Sequence, residues 1–565
     1  MKPYKPFIYQ LFPRLFGNAE SVNIFNGTLK ENGCGKFNDI TDAVLKQIAN
    51  NGYTHIWYIG VPAHASATDY TAYGIPRPYP EIVKGNAGSP YAIRDYYDVD
   101  PDLADHVPHR MREFEQLVAR THRAGLKVLI DHVPNHVARD YRSVNRPQGV
   151  KELGAEDNRQ VAFLPRNNFY YLPGQSLEIV LPPAKKEDFF YRESPARATG
   201  NDCFSPTPGL NDWYETIKLN YGVDYTDGKS THFSPIPDTW KKMRDILLFW
   251  SRKKVDGFRC DMAEMVPLDY WRWVIPQIKA TNPEMVFIAE IYNPSRYRDF
   301  LADNLFDFLY DKVGLYDVLR EVSCGYRPSS DITFALNAVG DIQHKMLNFM
   351  ENHDEQRLAS DYFLGNGEKG KAAMIVTCCH HTNPVMVYAG QEFGERGMDE
   401  EGFSGKNGRT SIFDYWSVDT LRRWNNNGKW DGRLLTPQEK ALHDFYRHLI
   451  RLCNREPALA KGLFYDLMPA NYEHPDFDST KLFAFLRCHR KNLLLVVANF
   501  DNREQHCTIH IPAHAFSFFA IEDRGAWRLT PLLHPENEAI IFSKNHTGQL
   551  RLDALSGKLY RLSTV

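Results

Sequence analysis

No run of apolar residues in this 565-residue chain approaches the ~18 needed to cross a bilayer as a helix; the longest, Leu493 to Ala498, is the length of a strand. A helical membrane span is therefore not expected. Charge of one sign is also missing: 67 Lys and Arg stand against 70 Asp and Glu, a net of −3. Such a chain has no field to gather nucleic acid or an anionic membrane, and its substrate is expected to be largely uncharged. The nine cysteines are an odd number, scattered singly except for Cys378-Cys379, and carry no disulfide-framework spacing. At the N-terminus, Met1 to Pro6 leads straight into an apolar stretch broken by Gln10, Pro13 and Arg14, which is no signal-peptide core. Both absences favour a reducing, cytoplasmic location, with a periplasmic or secreted one if a leader was removed. Zinc is disfavoured too. Cys378-Cys379-His380-His381 has soft ligands but no partner pair of the C-x2-C kind, and the preceding Ala372 to Val376 reads as a buried helix. No organic cofactor is expected.

What is present is alternation. Short apolar strand-like runs and amphipathic helical stretches follow one another from residue 7 onward, the pattern of a parallel α/β sheet. Arg110 to Leu126, Trp240 to Lys254 and Tyr270 to Ala280 read as helices, each leading into a strand. Strands are expected near Phe7 and Ile56, ending at Asp131, Asp261 and Glu290, over Phe306 to Tyr310, at the Phe349 segment, and near Val385. Asp261 and Glu290 are 29 positions apart, one β-α unit, so they belong to adjacent strands. Asp131 and Asp261 are 130 apart, so something is inserted after the third strand. The insert, 137–235, is irregular and rich in Pro, Asn, Gly and aromatics, and some of Tyr170, Tyr171, Trp213, Tyr214 and Tyr221 are expected to line a cleft. After a helix over Leu442 to Cys453 the pattern turns to alternating strands and turns, an antiparallel β-sandwich over 463–565. The reading is an α/β chain: a (β/α)8 TIM barrel over 1–136 and 236–462, a small inserted domain, and a C-terminal β domain.

Four segments carry the chemistry: Asp131-His132-Val133-Pro134-Asn135-His136, Gly257-Phe258-Arg259-Cys260-Asp261, Phe287-Ile288-Ala289-Glu290 and Phe349-Met350-Glu351-Asn352-His353-Asp354. Each places acidic residues just past a buried strand, at the barrel mouth where such enzymes keep their catalytic groups. In this order they resemble the four signature regions of the α-amylase family, glycoside hydrolases of (β/α)8 fold acting on α-glucosidic bonds. Phe7 to Arg14, Gly52 to Trp57 and Pro384 to Glu392 are similar to the family's first, second and eighth strands. The resemblance makes Asp261 the nucleophile, Glu290 the acid/base and Asp354 the third carboxylate that holds sugar hydroxyls. His136 and His353 become sugar contacts, Tyr91 the ring that stacks under the cleaved sugar, and Asp131 the residue that orients Arg259. Before Tyr91 the family's usual His-Gly is Ser89-Pro90 here.

These roles agree with elementary chemistry. Retaining glycosidases need two carboxyl groups ~5 Å apart, which adjacent strands can supply. Arg259, two residues before Asp261 on the same face, is expected to keep Asp261 ionised. Glu290 has no cation beside it in sequence, which is expected to favour the protonated form an acid needs. The resemblance also offers Asn135 as a ligand of a structural Ca2+, although Met265 and Glu264 stand where the family often has His and Lys. The expected activity is retaining hydrolysis of α-1,4 bonds in starch, glycogen or maltooligosaccharides. Alternatives are transfer to another sugar, since Gly85 to Tyr91 is similar to maltosyl-transferring relatives, an α-1,6 or short-oligosaccharide preference, and a non-catalytic binding scaffold.

Overall fold

The computed structural model describes residues 5–179, 190–522, 525–533, 540–543 and 547–564. The Met1 to Tyr4 segment read above lies outside the described residues. Eight parallel strands form the core: β1 (Phe7–Leu11), β2 (His55–Tyr58), β3 (Lys127–His132), β4 (Gly257–Cys260), β5 (Val286–Ala289), β6 (Phe308–Tyr310), β7 (Met346–Leu347) and β8 (Val385–Tyr388). They are hydrogen-bonded in sequence order, β8 pairs with β1, and a parallel bridge from Asn348 to Val385 closes the ring between β7 and β8. The barrel strands are buried almost throughout, as strands covered by helices on the outside and packed side chains within must be.

The helices preceding β3, β4 and β5 are Arg110–Arg123, Asp238–Arg252 and Leu268–Thr281, within two or three residues of their expected limits. Each buries one stripe, for example Phe114, Leu117 and Val118, against the barrel. Gly257 opens β4 because nothing larger fits: a Cβ there meets the Val286 carbonyl oxygen at 2.5 Å and Leu129 Cδ2 at 2.7 Å. The seventh strand is shorter than expected and ends at Leu347, so the segment from Phe349 to Asp354 is the loop beyond it.

Between β3 and β4 the chain is mostly irregular. It is tied to the barrel where His136–Ala138, just past β3, pairs antiparallel with Thr216–Lys218. Beyond the helix Pro437–Arg455 come β9 (Leu463–Asp466), β10 (Leu482–His489), β11 (Asn492–Asn499), β12 (Ala526–Pro531), β13 (Ile540–Ser543) and β14 (Ser556–Thr564). They form an antiparallel sheet in the order β9-β10-β11-β14-β12-β13, with Gln505–Cys507 and Leu550–Leu552 as a separate pair. Cys378 and Cys379 end a buried helix, Lys371–Cys379, and no cluster of three or more His, Cys, Asp or Glu suited to a metal occurs among the described residues. No described helix is long and apolar enough to cross a membrane.

Candidate active site

Strand register brings the signature residues together. Arg259 sits opposite Asp131 in the β4–β3 ladder, and two hydrogen bonds extend the sheet past the strand ends: Asp261 N–H donates to the His132 carbonyl (2.9 Å) and Glu290 N–H to the Cys260 carbonyl (3.1 Å). The carboxylates are thereby fixed by backbone, not by loops. Arg259, 1 % exposed, stands at the centre of three of them. Its Nη1 donates to Asp261 Oδ1 (2.8 Å) and Asp131 Oδ1 (3.3 Å), and its Nη2 forms an ion pair with Glu290 Oε2 at 2.7 Å. The guanidinium lies 5.2 Å from the ring centroids of Trp57 and Tyr91 and 5.6 Å from that of Tyr310, an aromatic wall that excludes water and favours the cation. Trp57 Nε1 also donates to Asp131 Oδ2 (3.0 Å), which fixes that carboxylate.

This geometry corrects the expectation that Glu290 stands away from any cation. The residue has none beside it in sequence, but the adjacent strand delivers Arg259. Glu290 Oε1 accepts from Tyr292 Oη (2.6 Å) and Oε2 from Met262 N–H (2.7 Å). Met262 adopts a left-handed backbone, φ 42°, directly after Asp261, which turns its amide toward Glu290. Asp261 differs in the decisive respect. Asp261 borders the cavity; one of its oxygens is held by Arg259, while Oδ2 is buried and has no hydrogen-bond partner among the described residues. Burial pushes the Asp261 carboxyl well above the usual range. Arg259 opposes this and the neighbouring charges of Glu290, Asp131 and Asp354 add to it. The simple expectation that Arg259 alone keeps Asp261 ionised thus omits the larger opposing effects.

Asp354 and His353 lie across the site. Burial raises the Asp354 carboxyl, but His353, with Nε2 3.0 Å from Oδ2, and then Arg259 outweigh it and hold it below its ordinary value. The same His353 nitrogen is 2.5 Å from Tyr91 Oη, while Nδ1 accepts from Gln10 Nε2 (2.9 Å) and the Tyr91 and His353 rings stack at 5.3 Å. Tyr91 is therefore placed although the residues before it depart from the family pattern. Its loop turns at Gly88, φ 73°, where a Cβ would collide with the Ala65 carbonyl oxygen. His136, 3 % exposed, is pushed down to about 3 by burial and then by Lys218 and Lys84, so its imidazole is neutral at neutral pH. It packs against the Trp213 ring at 5.3 Å.

Tyr91, His136, Asp261, Glu290 and Asp354 border one cavity of about 230 Å³, while Arg259 and Asp131 lie beneath it. Of the aromatics expected in the cleft, Trp213 reaches this cavity. Tyr170 and Tyr221 border a smaller neighbouring one of about 120 Å³ with Glu264 and Met265, and Tyr171 donates to Asp157. Lys84, Glu215, Met262, Tyr292, Ile412 and Phe413 also border the main cavity and were not singled out from sequence. Tyr292, two residues past Glu290, and Met262, directly after Asp261, had a local signal; the others did not.

The surroundings of Asn135 bear on the calcium expectation. Its Oδ1, the oxygen offered for a metal, accepts from Lys218 Nζ (2.8 Å), and its Nδ2 donates to the Gly200 carbonyl (2.7 Å). Lys218, 3 % exposed, also pairs with Asp202 Oδ1 at 2.5 Å. An ammonium thus already neutralises the oxygen donors, and a divalent cation beside it would meet like charge. The residues present do not fit Ca2+ at this position.

A barrel with paired carboxylates on adjacent strand ends, gripped by one arginine at the floor of a cavity, defines a glycosidase-type site. A family model of the alpha-amylase catalytic domain matches residues 10–301, and the chain belongs to the α-amylase family of glycoside hydrolases. It is similar to alpha-amylase MalA of Haloarcula japonica, 24 % identical over 446 residues that cover 77 % of this chain and 50 % of that one. It is also similar to neopullulanase 2 of Thermoactinomyces vulgaris, 22 % identical over 512 residues, 89 % of this chain and 71 % of the other. The chain thus spans half the length of the first relative and about seven-tenths of the second. Among solved structures, a noncanonic maltogenic alpha-amylase, AmyB, from Thermotoga neapolitana superposes with a TM-score of 0.63 at 18 % identity, covering 100 % of both chains.

Proposed function

We propose that this protein is a retaining hydrolase of α-1,4-glucosidic bonds in α-glucans or maltooligosaccharides. The observation that carries the reading is the arrangement of Asp261 and Glu290. Both engage the same guanidinium, Asp261 through Nη1 and Glu290 through Nη2. Two carboxyls within reach of one guanidinium suit the ~5–5.5 Å spacing of a retaining pair better than the ~6.5–9.5 Å of an inverting one. In this reading the unpartnered Asp261 Oδ2 attacks the anomeric carbon, the C–O bond to the leaving sugar breaks, and Glu290 gives that oxygen its proton. Water then replaces Asp261 on the anomeric carbon after Glu290 removes its proton. Time-resolved product analysis with maltoheptaose tests the reading. Shorter products establish hydrolysis, and longer ones, enhanced by added maltose, move the assignment to transfer. The transfer reading is supported by a 32 % identity over 129 residues, 20 % of the chain, to an α-1,4-glucan:maltose-1-phosphate maltosyltransferase of Cereibacter sphaeroides.

Two further outcomes are expected. Because Asp261 must be ionised to attack and its carboxyl is pushed upward, kcat/KM falls on the acid side with an apparent pKa above the ~3.9 of a free aspartate. A pH profile whose acid limb lies at or below that value would contradict the assignment of Asp261. Since Lys218 fills the place offered to calcium, exhaustive EDTA treatment leaves activity and Tm unchanged, checked by rate and thermal unfolding before and after dialysis.

A further inference from the structure

The catalytic cavity has a charged wall that the proposed chemistry does not use. Lys84, in the loop leading to Tyr91, and Glu215, in the insert, meet at 2.9 Å between Nζ and Oε1. Both are buried, 8 % and 3 % exposed, and both border the cavity that holds Asp261, Glu290 and Asp354. Burying an ion pair costs desolvation that hydrophobic residues of the same size would avoid, so its presence beside a reaction centre calls for a reason. The pair is also incomplete. Glu215 Oε2 is buried and has no hydrogen-bond partner among the described residues, which leaves a carboxylate oxygen able to accept from a ligand.

The surroundings make this pair a strap between separate parts of the fold. Tyr214 Oη donates to the Val83 carbonyl (3.4 Å), a second link between the same two segments. Ala87 N–H donates to the Phe413 carbonyl (3.0 Å), which joins the loop after β8, and the Lys84 ammonium lies 5.8 Å from the Phe413 ring centroid and 5.9 Å from that of Tyr214. Glu215 is anchored in turn, because Arg139 N–H donates to its carbonyl (3.0 Å) one residue beyond the antiparallel pair that positions His136. Lys84 and Phe413 hang from the arc of the barrel formed by β8, β1 and β2, whereas Glu290 and Tyr292 follow β5 across the ring. Glu290 faces the leaving group in the reading above, so the strap lies on the side of the retained glycosyl part, toward the non-reducing end.

We infer that the Lys84–Glu215 pair is a specificity-determining wall that closes the cavity on its glycosyl side and binds the hydroxyl groups of a terminal glucosyl unit, with Glu215 Oε2 accepting one of them. The inference rests on the proposed hydrolase reading. A free chain end fits against this wall, whereas a chain continuing beyond it would have to pass through an ion pair that joins the barrel loop to the insert. Glucan is therefore taken from its non-reducing end rather than cut internally.

The test uses the full chain and two forms of nitrophenyl α-maltoheptaoside, one with a free non-reducing end and one with its terminal glucose capped as a 4,6-acetal. The wild type is expected to cleave the free form at least about tenfold faster than the capped one, the size of discrimination that a blocked pocket imposes. Glu215→Gln raises KM for the free form about tenfold with kcat little changed, as expected for loss of a charge-assisted hydrogen bond to substrate. The double variant Lys84→Met/Glu215→Gln leaves no unpaired buried charge and brings the two rates together. Equal cleavage of both forms by the wild type overturns the wall while leaving the hydrolase reading intact. Cleavage of neither overturns both. The wild-type comparison requires no variant to fold.

Discussion

Replacing Asp261 by Asn is expected to lower kcat on maltoheptaose by about 10⁴-fold or more, the loss typical when a nucleophile that acts as part of a unit is removed. The exchange keeps shape and volume, and the amide oxygen can still accept from Arg259 Nη1, so the fold and Tm should change little. Replacing Glu290 by Gln is expected to cost less, ~10²–10⁴-fold, the range of general acid–base catalysis. The two roles separate with a glycosyl fluoride, whose leaving group needs no proton. Glu290→Gln should then regain most of the rate of glycosyl-ester formation, read as a fluoride burst, while Asp261→Asn should regain none. Recovery in the reverse order would exchange the two assignments, and near-wild-type rates in Asp261→Asn would remove the double-displacement mechanism altogether.

The carboxylates were legible because their signal is local. A short apolar run, a turn and an acid at the strand end can be recognised without knowing which strands are neighbours, and the run of such segments revealed the barrel. What adjacency adds was not legible. Arg259 looks like a partner of Asp261, its near neighbour in sequence, yet the β4–β5 register makes it equally a partner of Glu290. The seventh strand was misplaced by a few residues because two paired residues leave too little pattern to read. The surroundings of Asn135 were illegible for a similar reason. Asn135 and Lys218 are separated by 83 positions of mostly irregular chain, and only the antiparallel pairing of His136–Ala138 with Thr216–Lys218 brings the ammonium to the asparagine. Lys84 and Glu215 show the same limit more strongly, since an isolated lysine and glutamate in loops carry no periodicity at all.

The distribution of charge explains why one arginine matters more than any of the acids it holds. Arg259→Met removes the cation to which Asp131, Asp261 and Glu290 are all bound and leaves them buried together with Asp354 nearby. Uncompensated buried charge of this kind costs ~3–5 kcal/mol, so the variant should unfold at markedly lower urea at pH 7. The pH dependence has a definite sign. The Asp131 and Asp261 carboxyls are already raised by burial, before Arg259 is removed, above the ~3.9 of an unfolded aspartate. At these two carboxyls the native state therefore binds protons more readily than the unfolded one, and lowering the pH toward their folded values favours it. Without Arg259 those values rise further, so the stability gap between variant and wild type should shrink between pH 7 and pH 5. Arg259→Lys separates charge from geometry. A single ammonium restores part of the stability but cannot present Nη1 to Asp261 and Nη2 to Glu290 at once, so the activity lost in Arg259→Met should stay lost. Urea unfolding at the two pH values, with kcat/KM at each, reads both effects. A gap that widens toward pH 5, or a lysine variant of full activity, would show that Arg259 does not organise the site through its charge and its fork.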